Sequence, residues 1–279
     1  MEFFEAVARD VAIALEEDVG DGDLTARLIP EDAVAVANVV SREDAVLCGS
    51  PWFEAVFRRL DPAVDIVWNI PEGGKVGQNQ FICTVKGNAR ALLTAERSAL
   101  NFLQLLSAVA TRTRSYVDAV SGTRAVILDT RKTIPGLRIA EKYAVRIGGG
   151  QNQRMGLFDA ILIKENHILA CGGVKRALQV AAKMGTVPVQ IEVENLEELQ
   201  EALDAGAKLI LLDNFTMEKM EQAVKLVAGR AKLEASGGVS LGTVRRIAET
   251  GVDRISIGSL TKDIHALDLS MRFEVSQLA

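Results

Sequence analysis

Residues 187–238, VPVQIEVENLEELQEALDAGAKLILLDNFTMEKMEQAVKLVAGRAKLEASGG, hold three short apolar runs (VPVQIEVE, KLILLDN, AKLEASGG) separated by two longer amphipathic stretches (LEELQEALDAG, MEKMEQAVKLVAG). Apolar runs of this length bounded by turn residues read as buried strands, and stretches with apolar residues three and four apart read as helices. Strand and helix in strict alternation imply parallel pairing through right-handed crossovers. The same rhythm continues on both sides. Upstream lie the strand AVILDT (125–130), the helix GLRIAEKYAVR (136–146), the strand DAILIK (159–164) and the helix GGVKRALQVAAKMG (172–185). Downstream lie the helix SLGTVRRIAETG (240–251) and the strand RISIGS (254–259). Units of about 25 residues have the period of an α/β barrel, but closure normally takes eight of them and only six strands are found. The expected fold is therefore an incomplete, TIM-like α/β barrel.

The first part of the chain has a different texture. A helix is expected over residues 3–17, where Phe4, Val7, Val11, Ile13 and Leu15 roughly follow helical spacing. Between residues 33 and 87, short β-rich runs (VAVANVVS, AVLCG, DIVWNI, FICTVKG) are separated by turn signals at Asp61-Pro62, Pro71-Glu72-Gly73-Gly74 and Lys86-Gly87, which predicts an antiparallel sheet. A long helix, LLTAERSALNFLQLLSAVATRTRSYVDAV (92–120), leads into the first barrel strand.

A chain of 279 residues with 48% hydrophobic and 25% charged content can bury a full core as one large domain or one large and one small. A net charge of −5 argues against a general nucleic-acid or membrane-surface role, which needs a continuous basic face. The amino terminus lacks the pattern of a signal peptide, and no apolar run is long enough to cross a bilayer. Cys48, Cys83 and Cys171 have no metal-ligand spacing and read as reduced core thiols, so a cytoplasmic protein is expected.

Against this acidic background, residues 129–167 concentrate Arg131, Lys132, Arg138, Lys142, Arg146, Arg154 and Lys164 around a glycine triplet, which points to a focused pocket for a polyanionic small molecule. Barrels carry their chemistry at the carboxyl ends of the strands. Those ends read Asp129-Thr130-Arg131-Lys132, Lys164-Glu165-Asn166-His167, Glu192-Val193-Glu194-Asn195, Asp213-Asn214, Ser236-Gly237-Gly238 and Gly258-Ser259, each opening on a polar, charged or glycine residue. Ser236, Gly237, Gly238, Gly258 and Ser259 suit a phosphate cradle built from backbone amides, although tight turns alone would also explain the glycines. Glu192 and Asp213 close neighbouring strands and can share a Mg²⁺ with phosphate oxygens, or else salt-bridge the local lysines; Glu194 lies on the same strand face as Glu192 and is a fallback. Arg97, Arg131 and Arg154 offer forked donors for carboxylates, whereas Lys132 and Lys164 are compact charges suited to phosphate. His167 reads either as a general acid or base or as a structural residue.

The same residues carry a family resemblance. EEDVGDGDLT (16–25), GNARALLTAERSALN (87–101), DTRKTIPGLR (129–138), KYAVRIGGG (142–150), RMGLFDAILIKENH (154–167), IEVEN, LLDN, EASGG and ISIGSLT are similar to quinolinate phosphoribosyltransferases nearly end to end. The resemblance implies an amino-terminal open α/β sandwich, residues 1–105, with 265–279 available to complete it, joined to a barrel with fewer than eight strands at 106–264. It implies conversion of quinolinate and phosphoribosyl pyrophosphate, with Mg²⁺, to nicotinate mononucleotide, pyrophosphate and CO₂ in NAD biosynthesis, by a homodimer or larger homo-oligomer with shared sites. Carried over by position, Arg131, Arg154 and Lys164 resemble the ligands of the quinolinate carboxylates, with Arg97 reaching into the partner subunit's site. Lys132 resembles a phosphoribosyl pyrophosphate ligand, Glu192 and Asp213 the pair serving ribose and metal, and Ser236, Gly237 and Gly258 the phosphate cradle; Thr130, Gly238 and Ser259 join them in the expected site.

One position departs from the pattern. Many members have His before the arginine of the G-G-G-x-x-H-R motif, where this chain has Gln153, which can donate a hydrogen bond to a carboxylate but cannot carry charge or shuttle a proton. The rival readings are a phosphoribosyltransferase for a related pyridine acid, a Schiff-base aldolase using Lys164, and a paralogue that binds phosphoribosyl ligands without turnover.

Overall fold

The computed structural model describes residues 3–274. In chain order it runs α1 (Phe3–Val19), β1 (Val34–Ser41), β2 (Ala45–Val46), α2 (Ser50–Leu60), β3 (Asp65–Trp68), β4 (Lys75–Val76), β5 (Phe81–Asn88), α3 (Ala89–Ala119), β6 (Val126–Leu128), α4 (Arg138–Ile147), β7 (Ile161–Ile163), α5 (Glu165–Cys171), α6 (Val174–Ala181), β8 (Val189–Val193), α7 (Leu196–Asp204), β9 (Leu209–Asp213), α8 (Met217–Val227), β10 (Lys232–Ser236), α9 (Leu241–Glu249), β11 (Arg254–Ser256), α10 (Ser259–Lys262) and β12 (Leu269–Phe273). The chain divides into two units. One comprises the residues up to Arg112, Ile134–Gly148 and those from Asp263 onward; the other comprises Thr113–Thr133 and Gly149–Lys262.

The second unit is the barrel, with all six strands parallel in the order β6-β11-β10-β9-β8-β7. The first strand pairs with the last, as in a closed barrel, but β6 and β7 share no ladder, and the break is spanned by a single bridge between Leu128 and Gln151. The strand LILLD of β9 is buried at Ile210, Leu211 and Leu212, as expected where helices cover the outer face and side chains fill the inner one. Helix ends follow local chemistry. Asn195 caps α7 by accepting from the Glu198 N–H at 2.8 Å, and Gly206, at φ +86°, ends it in a left-handed turn that a side chain would strain.

The first unit contains the antiparallel sheet β12-β1-β5-β3 and a separate β2-β4 pair. The described part of segment 265–279 supplies β12, which pairs with β1 from Ala37 to Ser41; residues 275–279 lie outside the described residues. Helix α2 was not anticipated from the β-rich texture around it. Pro51 in its first turn and the buried face Trp52, Phe53, Val56 and Phe57 were its local signals.

The domain boundaries differ from those expected. The change of unit comes at Arg112 instead of 105 and at Asp263 instead of 265, and Ile134–Gly148, expected inside the barrel, belongs to the first unit. The reason lies in α4. Its buried face is Ala140, Ala144 and Val145, and Tyr143 stacks against Phe3 and Trp52 with ring centroids 5.0 and 5.5 Å away. The Tyr143 hydroxyl donates to Glu72 Oε1 at 2.9 Å, and the same carboxylate takes the Gly49 and Ser50 N–H groups at the start of α2. Beneath them Trp52 Nε1 donates to buried Asp10, which also holds Arg9.

Helix α4 also buries Glu141. Burial pushes this carboxyl up to about 7, against the Ile134 N–H that it accepts and the charge of Arg138. Between pH 4.5 and 7 the folded chain therefore holds a proton that the unfolded chain has lost, so stability falls as pH rises through this window and stays lower above it. Glu141→Gln keeps an acceptor for Ile134 and removes the charge. In denaturant unfolding it should be more stable than the parent by ~1–3 kcal/mol at pH 8 and nearly equal to it at pH 4.5.

Candidate functional site

At the carboxyl ends of the barrel strands the second unit opens into a hollow of about 380 Å³. Thr130, Arg131 and Lys132 reach it from the segment after β6, Gln153 and Arg154 from the loop after the glycine triplet, Lys164 from the end of β7, Glu192 from β8, Asp213 from β9 and Ser236 from β10. Its lining continues two residues deeper at Leu162, Leu211, Glu234 and Ser256, as the two-residue period of strands requires.

The cations are held by built contacts. Lys164 Nζ lies 3.0 Å from Glu192 Oε2, pairing one strand end with the next. Thr130 Oγ1 accepts the Lys132 N–H at 3.0 Å, and the Thr261 hydroxyl donates to the Lys132 carbonyl at 2.7 Å, so the segment that carries Lys132 is fixed from both sides. Arg154 is held below its ordinary pKa by burial and by the like charge of Arg131, which Asp159 partly offsets. Two guanidinium groups thus share one hollow closely enough to feel each other's charge, and forked donors of this kind suit carboxylates.

The glycines fit closely around this mouth. A Cβ on Gly258 would stand 2.9 Å from Lys132 Cδ, so the lysine stem lies across this glycine. Gly237 is left-handed at φ +99°, and a Cβ there would sit 2.0 Å from Asn214 Oδ1. Asn214 in turn donates its backbone N–H to Ser236 O and its amide to Asp213. Gly237, Gly238, Gly258 and Ser259 thus stand at the strand ends without lining the hollow themselves.

Several expected residues go elsewhere. Arg138, Lys142 and Arg146 lie on α4 in the first unit, with Lys142 fully buried, so the run of cations read from 129–167 divides between the two units. Arg97 also belongs to the first unit, exposed on α3. Glu194 is exposed just beyond β8 and outside the hollow; Glu165 beside it, and then Glu198 and Asp213, push its carboxyl up. His167 Nδ1 accepts the Lys164 N–H at 3.0 Å, a helix-capping contact at the start of α5.

Known proteins resemble the chain over nearly its full length. Residues 23–107 match the model of the quinolinate phosphoribosyl transferase N-terminal domain, and residues 109–272 match that of the C-terminal domain. The chain belongs to the quinolinate phosphoribosyltransferase family. A Bacillus subtilis protein named as a probable nicotinate-nucleotide pyrophosphorylase (carboxylating) is 40% identical over 93% of this chain and 91% of its own. The quinolinate phosphoribosyltransferase (decarboxylating) 1b of Nicotiana tabacum is 40% identical over 95% of this chain and 81% of its own. The solved nicotinate-nucleotide pyrophosphorylase of Francisella tularensis is 45% identical and superposes with a TM-score of 0.95 over 98% of each chain.

Gln153, the position that departs from the family motif, has both ends of its side-chain amide engaged inside the protein. Its Nε2 donates to Gln190 Oε1 and its Oε1 accepts the Arg154 N–H, both at 2.9 Å. Gln190 and Glu234 were missed in the sequence, although counting back two residues from Glu192 and from Ser236 leads to them.

The Gly258 contact yields a test. Gly258 is not in the left-handed region, so Gly258→Ala should fold with a nearly unchanged Tm while displacing Lys132. Calorimetry should show phosphoribosyl pyrophosphate bound about tenfold more weakly by this variant. Gly237→Ala, strained and clashing, should instead lower Tm.

Proposed function

We propose that the hollow seats quinolinate beside phosphoribosyl pyrophosphate. The family reaction transfers the phosphoribosyl group to quinolinate with decarboxylation, giving nicotinate mononucleotide, pyrophosphate and CO₂ in NAD biosynthesis. The observation that carries the placement is the meeting of Arg131, Arg154, Lys132 and Lys164 with Glu192, Asp213 and Ser236 in one hollow.

Arg131, Arg154 and Lys164 bind the two carboxylates of the pyridine diacid and turn its ring nitrogen toward the anomeric carbon of the sugar. Lys132 holds the diphosphate, and Ser236 within the hollow, with the Gly237, Gly238, Gly258 and Ser259 donors at the strand ends beside it, serves the 5′-phosphate. As the bond to pyrophosphate breaks, positive charge grows on the ribose, and Glu192 and Asp213 are the carboxylates near enough to steady it. The new N-ribosyl bond makes the ring nitrogen cationic. The C2 carboxylate then leaves as CO₂, its bonding electrons staying on C2 beside that positive nitrogen until a proton is taken up there.

Glu192 and Asp213 also fit Mg²⁺. They are hard oxygen donors on adjacent strands, and a two-carboxylate set leaves most of an octahedral shell to phosphate oxygens and water. When bound, the ion would neutralise charge on the departing pyrophosphate. A Schiff-base role for Lys164 finds no support in an ion-paired ammonium that is 48% exposed.

The functional assembly in this reading is a homodimer or larger homo-oligomer in the cytoplasm, with Arg97 completing the partner's site. Supporting it are the exposure of Arg97 and the exposed apolar side chains Leu24, Leu28, Leu157, Phe158 and Leu169. Cys48 and Cys83 are free and buried; Cys171 is free but only half-buried at the end of α5, so it is not the core thiol expected, and no helix among the described residues is long and apolar enough to cross a membrane.

The test is Mg²⁺-dependent formation of nicotinate mononucleotide and CO₂ from quinolinate, with nicotinate as the control acid. Arg97→Ala and Lys132→Ala should each be inactive, and a mixture of the two should recover about one quarter of the parent activity, because half of the randomly paired dimers keep one intact site. Turnover of nicotinate alone, or no recovery on mixing, would overturn the substrate or the shared-site assignment respectively.

A further inference from the structure

The barrel interior beneath the hollow is unusually polar. Branched apolar side chains normally fill this layer, yet here Gln190 and Glu234 are 7% and 1% exposed and hydrogen-bonded to each other, Gln190 Nε2 donating to Glu234 Oε2 at 2.9 Å. The chain of bonds continues upward. Gln153 Nε2 donates to Gln190 Oε1, and the Arg154 backbone N–H donates to Gln153 Oε1, each at 2.9 Å. The Gln153 backbone N–H is tied sideways to buried Asp129 at 2.8 Å.

We propose that Gln190 and Glu234 are positioning residues for the diacid, a one-way chain of hydrogen bonds that fixes Gln153 and, through it, Arg154. The proposal rests on the reading that Arg154 takes a quinolinate carboxylate. The direction of the chain follows from its lower end. An amide can be turned either way, but a carboxyl oxygen without a proton can only accept. Glu234 Oε2 therefore makes Gln190 present its NH₂ downward and its carbonyl oxygen upward. That oxygen draws in the NH₂ of Gln153, which leaves the Gln153 carbonyl oxygen for the Arg154 N–H. Burial pushes the Glu234 carboxyl up, against the hydrogen bond from Gln190, the neighbouring Ser256 and Arg254, and with Asp129 adding to the rise. In either protonation state one oxygen remains to accept.

Such scaffolding has a physical purpose. Arg154 stands in the like-charge field of Arg131, and among the described residues its guanidinium is bonded to the Ala160 carbonyl at 3.3 Å and attracted by Asp159. Preorganisation of a like-charge pair needs a rigid backbone behind it, and the buried amide chain supplies one.

The test compares Gln190→Leu, Glu234→Leu, Glu234→Gln and Gln153→Ala in the full-length enzyme, each first shown to keep the parent Tm within a few degrees. Gln190→Leu, Glu234→Leu and Gln153→Ala should raise KM for quinolinate about tenfold while KM for phosphoribosyl pyrophosphate stays within about twofold. Glu234→Gln, which keeps a carbonyl oxygen for Gln190, should lie near the parent. The double variant Gln153→Ala/Gln190→Leu should be no worse than either single one, because both break the same chain. Should a barrel-interior variant fail to fold, Gln153→Ala and Glu234→Gln still decide the matter. Equal rises in both KM values, multiplying effects in the double variant, or Glu234→Gln as damaging as Glu234→Leu would overturn the proposal. Arg154→Ala separates the two levels: if it leaves KM for quinolinate unchanged, the underlying reading fails and the chain with it; if it raises KM while Gln153→Ala does not, the chain alone fails.

Discussion

Four cationic side chains, Arg131, Lys132, Arg154 and Lys164, held at one mouth of a barrel are the constraint around which this structure is arranged. Mutual repulsion would splay free lysines and arginines into solvent, and three of the four are seen to be tied in place. Lys164 is paired to Glu192, the Lys132 segment is tied by Thr130 and Thr261, and Arg154 is anchored through its backbone and steadied by Asp159. The carboxylates that do this stand on β8 and in the loop before β7, and the barrel brings them together because parallel strands place all their carboxyl ends at one face. The cup therefore gathers cations from three separate segments of the barrel, with carboxylates interleaved among them.

Much of this was legible in the chain because strand and helix periods differ. Runs such as KLILLDN and MEKMEQAVKLVAG can be told apart by period alone, and once six strands were placed, the polar residue at each strand end located the mouth. What escaped notice was whatever periodicity does not encode. Helix α2 is hidden between strands because its eleven residues make barely three turns, too few for a helical period to stand out from the β-rich runs on either side. Arg138, Lys142 and Arg146 were grouped with the site because they are near it in sequence, but nothing local says which unit an amphipathic helix will bury its face against; that is decided by Phe3, Trp52 and Glu72, distant in the chain. Gln190 and Glu234 were passed over because sequence reading stopped at the strand ends, whereas the pleat repeats every second residue down into the barrel.

The destination of α4 also accounts for the open barrel. In a closed α/β barrel each crossover helix packs on its own two strands and draws the second beside the first. Between β6 and β7 that connection exists in sequence, but its helix buries Ala140, Ala144 and Val145 in the other unit, so no helix draws β7 onto β6. Strand β6 pairs with β11 on one side, and on the other the chain after the glycine triplet passes along the free edge, touching it in the single Leu128–Gln151 bridge. An irregular segment there has freedom that a ladder would remove. Its backbone carries Asn152, Gln153 and Arg154, whose polar groups turn inward to Asp129, Gln190 and the hollow. A seventh strand in this place would have to satisfy its own hydrogen bonds first and point only alternate residues inward. Leaving the barrel unclosed is thus what lets consecutive residues, Gln153 and Arg154, both face the same hollow.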